Sequence, residues 1–323
     1  MTPDLIYTTT YKMHHLTTES QSIRISDDVW IETSRDFVGQ PDVKPRLSYS
    51  SEMPTDLTFG LSKFEDALVK SPVRLRVTNS EEQEEKRPFD RDECAYIATA
   101  LAILSDDWFV VGIESFSNSR EPQNPSFGPF CTFFKGENSG GGSIIRKVDE
   151  ALVIKCYDFV YAALSGTSWD NDNAKLVFLF LKCVTHTSTQ DAHVLKVGLS
   201  HLFTEAHSTV LFGSLFFENV FSEESKNILK GVDLWNKIFG QDYNIDRALV
   251  EVVTKYRHLV AHDNATRALN FLANWKTQSG YDDQAGYAAI QKFIPKSAKL
   301  ILRGIITEDT KFSDYLKQRQ AIT

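Results

Sequence analysis

The chain has 323 residues, 42% hydrophobic and 24% charged, enough for two ordinary domains with a buried core. Its formal net charge of -8 argues against broad, sequence-independent coating of DNA, which rests on many lysine and arginine contacts to phosphate, but leaves room for a small basic cleft. No apolar run approaches the ~20 residues of a membrane-spanning helix.

Met1-Thr2-Pro3-Asp4 lacks a basic segment followed by an apolar one, so no signal peptide is expected. Cys94, Cys131, Cys156 and Cys183 are scattered without C-x-x-C spacing. Together these features predict a cytoplasmic protein with reduced, buried thiols rather than a disulfide or zinc framework.

The first part of the chain reads as strands. Ile23-Arg24-Ile25 and Val29-Trp30-Ile31-Glu32 flank a Ser26-Asp27-Asp28 turn, and Val73-Arg74-Leu75-Arg76-Val77 alternates apolar with charged residues. Glu81-Glu82-Gln83-Glu84-Glu85-Lys86 reads as a solvated loop. A helix is expected from about Arg91 to Leu104, with Asp90 as its cap. Trp108 to Ile113 and Phe130 to Phe134 are apolar runs of strand type, and prolines at 41, 45, 54, 72, 122, 125 and 129 punctuate the region. Residues 1–139 therefore form a mixed α/β or β-rich domain, and 136–143, with Gly140-Gly141-Gly142, reads as a linker. The glycines lack the Gly-Lys-Ser/Thr ending of a phosphate loop and do not fit G-x-G-x-x-G.

After the linker the period becomes helical. Stripes run through Ile145, Val148, Leu152, Cys156, Phe159 and Ala163, then Ala174, Val177, Phe178, Leu181 and Val184, with Asp172 or Asn173 as cap. Ala192 to Phe217 continues the pattern. Ile228 to Ile238 is stopped by Gly240, and Ile245, Leu249, Val252, Tyr256 and Leu259 follow. After Ala268, Leu272 and Trp275 comes a last helical pair interrupted at Pro295. The fold class is thus α+β overall, with an all-α helical bundle over 143–307 and a C-terminal tail over 308–323.

Chemistry concentrates at Tyr256-Arg257-His258-Leu259-Val260-Ala261-His262-Asp263. Histidine titrates near neutrality and can move protons in metal-independent RNA cleavage, where the 2′-hydroxyl is the nucleophile. Arginine can hold the scissile phosphate with its planar fork. Residues five apart lie ~140° around an ideal helix, so Arg257 and His262 converge only where the helix ends or distorts. Asp263 and Asn264 favour turns, which suits an ending there.

This R-x4-H arrangement, in a helical setting, resembles the motif of the HEPN superfamily of helical ribonucleases. The resemblance extends over about Ser143 to Thr307 in architecture and is specific over Tyr256 to Asp263. It implies an endoribonuclease that needs neither metal nor cofactor and acts as a homodimer, its two motif copies facing across a symmetric cleft. Arg257 and His262 are the implied catalytic pair, and His258 and Asp263 fit the family's polar and turn-forming positions. Antiphage defence or a toxin–antitoxin system is the implied setting. A nucleotidyltransferase-paired subgroup carries a tyrosine two residues after the histidine, where this chain has Asn264. The N-terminal domain is then the place for a regulatory ligand or protein, with no membrane involved.

Three other readings stay open. Lys255, Arg257, His258 and His262 in the last turns of a helix complement its dipole without any catalysis. A non-enzymatic helical dimerisation or binding module accommodates the same residues. His258 and His262, four apart, share one face of a continuous helix and would bind zinc with a third ligand such as Glu205 or His207, although Leu259 stands where H-E-x-x-H has its base. Glu205 is also an assisting candidate for RNA cleavage. Lys292, Lys296, Lys299 and Arg303 recur at helical spacing as a basic rim for RNA, or as a solvated face.

Overall fold

The computed structural model describes residues 6–14, 23–26, 29–33, 73–80, 88–105, 109–118, 126–134, 150–165, 172–187, 200–222, 227–261, 267–268, 270–271, 274–275 and 285–321. The acidic run at 81–86, the glycine-rich 136–143 stretch, and His262, Asp263 and Asn264 lie outside them. The chain divides into two compact units, Met1–Val160 with His186–Thr189, and Tyr161–Thr185 with Gln190–Thr323. Helices and a sheet are both present, as the α+β reading expects.

The first unit is built on a sheet ordered β2-β3-β4-β1-β5-β6-β7. Its strands are β1 (Ile6–His14), β2 (Ile23–Arg24), β3 (Val29–Thr33), β4 (Val73–Ser80), β5 (Phe109–Asn118), β6 (Ser126–Phe134) and β7 (Thr185–Thr187). β2 and β3 form the expected hairpin, with Ile23 opposite Ile31 and both side chains buried. The alternating Val73–Val77 segment pairs antiparallel with β1 on one side and β3 on the other. β1 is central and was not evident in the sequence: Thr8-Thr9-Thr10 is β-branched but lacks an apolar alternation. Helix α1 runs Pro88–Leu104, so Asp90 lies inside it rather than capping it. Proline at the first position sacrifices only an N–H that would be unsatisfied there anyway. Helix α2 spans Glu150–Leu164, and the division between units falls within it rather than at the glycine-rich stretch.

The second unit is helical. Its elements are α3 (Asp172–Val184), α4 (Ser200–Phe221), α5 (Ile228–Phe239), a 3-10 turn (Gln241–Tyr243), α6 (Arg247–Ala261), α7 (Ala285–Thr307) and α8 (Asp309–Gln320). α4 touches α3, α5, α6 and α7, and α8 packs on α5 and α7. An aromatic chain fills the centre. Phe217 stacks on Phe221, Phe221 meets Trp235 edge-on at 5.9 Å, and Trp235 stacks on Phe239 at 3.7 Å and meets Tyr315 at 5.3 Å. Each such pair adds about 0.5–1.5 kcal/mol beyond its burial. Cys183 on α3 is buried, as is Cys156 on α2, in line with the expected buried thiols.

Two glycines are required here. Gly231 lets α5 approach the end of α4 so closely that a Cβ would stand 1.9 Å from the Phe221 carbonyl oxygen. Gly240 ends α5 at φ 74 and ψ -157, a region essentially closed to L side chains. Asn236 then clamps the connection: its amide donates to the Ile245 carbonyl and accepts from the Ile245 N–H, both at 2.8 Å.

Two expectations are corrected. Pro295 does not interrupt α7, which runs unbroken from Ala285 to Thr307. A proline inside a helix costs about 3 kcal/mol, through one lost hydrogen bond and the clash of its ring with the preceding turn, but Ile290, Ile294, Ala298, Ile301 and Leu302 are all buried along this helix and offset it. The segment 308–323 is not a tail. It contains α8, whose Tyr315 is fully buried and donates to the Val220 carbonyl at 2.9 Å. Among the described residues, no helix is long and apolar enough to cross a membrane.

Candidate functional site

The site rests on α6. Asp246 starts this helix as an N-cap, its Oδ1 accepting from the Ala248 and Leu249 N–H groups at 2.9 and 3.2 Å. Val250, Val253 and Tyr256 are buried along one side, and Glu251 pairs with Lys255 one turn on at the surface. Arg257 lies four residues after Val253 and seven after Val250, so it shares their inward face. His258 is next in sequence, ~100° further round, and is exposed. The two side chains therefore diverge: one is held inside the bundle, the other faces water.

Arg257 is engaged by a partner the sequence reading did not include. Its Nη1 pairs with Oε1 of Glu218 on α4, and the side chains are 29% and 13% exposed. Its Nε is buried and has no hydrogen-bond partner among the described residues. Glu218 stands in Phe216-Phe217-Glu218-Asn219-Val220-Phe221, a lone charge in an apolar run. Such a residue requires a partner, and that was the available signal, although 39 residues separate the pair. At the residue before Arg257, burial raises the Tyr256 phenol above its ordinary pKa.

The backbone under Glu218 is tied down by α8. Arg319 Nη1 donates to the carbonyls of Asn219 and Val220 at 3.0 and 2.7 Å, and the Tyr315 hydroxyl shares the Val220 oxygen. These are carbonyls of the last turn of α4, where a cation also complements the helix dipole.

The remaining candidates fall on α4, on α7 and after the end of α6. Glu205 and His207 lie on α4, 13 and 11 residues before Glu218. Their side chains lie outside the described residues, as do His262 and Asp263. Lys292 and Lys296 are exposed on α7 and Arg303 is half-buried. Lys299 is only 3% exposed and cannot belong to an outer basic rim. It sits four residues after buried Pro295 and three before buried Leu302, on the packed side of the helix. Among the described residues no group of three or more His, Cys, Asp and Glu side chains is arranged to hold a metal ion. Comparison with protein-family models, curated proteins and solved structures finds no match.

Proposed function

We propose that the chain is a metal-independent endoribonuclease of the HEPN type. The observation that supports this reading is Arg257 itself: a guanidinium on the inward face of α6, braced by a carboxylate from α4, with 29% of its side chain still open to solvent. A cation held in one orientation, with part of its fork accessible, suits a scissile phosphate. In this reading His262 moves the proton as the 2′-hydroxyl attacks the adjacent phosphorus. The bond to the 5′-oxygen breaks, leaving a 2′,3′-cyclic phosphate and a 5′-hydroxyl. DNA, which lacks the nucleophile, is spared. Two copies of the motif face each other in a homodimer, the sheet-bearing unit receives the activating signal, and antiphage defence or toxin–antitoxin control is the biological role.

One observation favours a second reading, a non-enzymatic helical dimerisation or binding module. Pairing with Glu218 already gives Arg257 a structural reason to exist. The readings separate with purified full-length protein and labelled RNA. Cleavage that survives EDTA and falls about 10²–10⁴-fold in both Arg257→Ala and His262→Ala, with folding retained, supports the nuclease. Equal activity in wild type and both variants, or none in any of them across RNA substrates, favours the binding module. Cleavage lost in EDTA and restored by zinc points to the His258–His262 metal site.

A further inference from the structure

We propose that Glu218 is the positioning residue of this site: it fixes Arg257 through Nη1 and leaves the remaining edge of the guanidinium for the scissile phosphate. The inference rests on the nuclease reading and adds a residue to it. Three observations carry it. Glu218 binds Arg257 through Nη1 alone and Nε is buried, so of the five N–H donors the two of Nη2 and the second of Nη1 remain for a ligand. The Glu218 side chain is only 13% exposed, so water cannot readily replace Arg257 if the pair opens. The turn that carries Glu218 is fixed from two further directions, by Arg319 and Tyr315 of α8 on the Asn219 and Val220 carbonyls, and by Gly231 of α5 against Phe221.

These facts decide between two roles for the carboxylate. If the pair opened when RNA bound, Glu218 would act as an internal competitor that blocks the site. A poorly hydrated carboxylate on a locked turn makes opening the costlier route, so the pair persists and the phosphate meets the outer N–H groups. Glu218 then lowers the net positive charge offered to RNA while setting the direction of the fork. Charge and geometry are separable by substitution. Glu218→Gln keeps an oxygen acceptor and removes the charge. Glu218→Ala removes both.

The test uses the full chain, labelled RNA and a kcat against KM comparison, assayed well below the melting midpoint of each variant. Glu218→Ala is expected to lower kcat about 10- to 100-fold, the scale of a misplaced catalytic group, with KM changed less. Glu218→Gln is expected to restore kcat to within about threefold of wild type and to tighten RNA binding in a His262→Ala background, because one repulsive charge is gone. A kcat for Glu218→Ala within about twofold of wild type overturns the proposal and leaves Glu218 a packing residue. A rise in kcat for both variants overturns it in favour of the blocking carboxylate. If Arg257→Ala cleaves as wild type does, or wild type does not cleave, the nuclease reading itself fails and the proposal with it. Loss in Arg257→Ala but not in Glu218→Ala removes this inference alone.

Discussion

Replacing Gly231 with alanine tests the closest approach in the helical unit. The added Cβ would lie 1.9 Å from the Phe221 oxygen, 2.8 Å from its carbonyl carbon and 3.0 Å from its Cα. An ordinary carbon–oxygen contact begins near 3.3 Å, so α4 and α5 must part by roughly 1.4 Å. The obstacle is backbone, which has no rotamer to escape into. Overpacking of this kind costs about 1–3 kcal/mol, occasionally more, and the backbone clash places it at the upper end. Alanine returns about 1 kcal/mol through helix propensity. The net expectation is a loss of about 2 kcal/mol or more, and a fall of several degrees in the melting midpoint. The edge contact of Phe221 with Trp235 at 5.9 Å should loosen too, so tryptophan fluorescence shifts before unfolding. Urea denaturation reads the effect as a lower midpoint at unchanged slope. If Gly231→Ala unfolds within about 0.5 kcal/mol of wild type, α4 and α5 do not meet as described.

Three more outcomes are expected. In a double-mutant cycle, Arg257→Ala and Glu218→Ala each destabilise by about 1–3 kcal/mol, less than a fully buried pair because Arg257 is part-exposed, and the double variant loses less than their sum; strict additivity in urea titrations would mean that the pair is absent in solution. Burial raises the Tyr315 phenol well above its ordinary 10.0, with the charge and hydrogen bond of Arg319 pulling the other way, and burial raises Tyr256 as well. The fold therefore favours both neutral phenols, so their contribution is whole below about pH 10 and is lost as pH rises through the folded values; Tyr315→Phe should flatten this alkaline decline, and an unchanged decline would show Tyr315 exposed. Light scattering at micromolar concentration should give twice the monomer mass, whereas a strict monomer counts heavily against a cleft made from two motifs.

What the sequence disclosed follows the periodicity of each segment. β4 was legible because Val73, Leu75 and Val77 alternate with two arginines, and α5 because its apolar stripe ends at Gly240. α8 was not, because only Tyr315 is buried among its twelve residues and one anchor makes no stripe. α7 was divided on the evidence of Pro295, a local signal that burial of its apolar face outweighs. At the site, Arg257 stood out in the sequence by its place in the run from Tyr256 to Asp263. Its partner was not, since pairing across 39 residues depends on how α4 and α6 meet. Lys299 misled for a related reason: four basic residues at helical spacing define a face, but not which side of that face the bundle covers.

The attachment of α8 also sets an order of events. The hydrogen bond from Tyr315 to Val220 joins residues 95 apart, and those from Arg319 span 99 and 100. Contacts this distant form after local helices and pay their loop-closure entropy late. During synthesis, the end of α4 is therefore made well before the side chains that lock it have been joined to the chain. Until Arg319 arrives, the Asn219 and Val220 carbonyls lack its N–H groups, and the turn bearing Glu218 is free to fray. A newly made chain would pass through a stage in which its helices exist but Arg257 is not yet held. Fixation of Arg257 would then be timed by the arrival of α8 rather than by formation of α6, the helix that carries it.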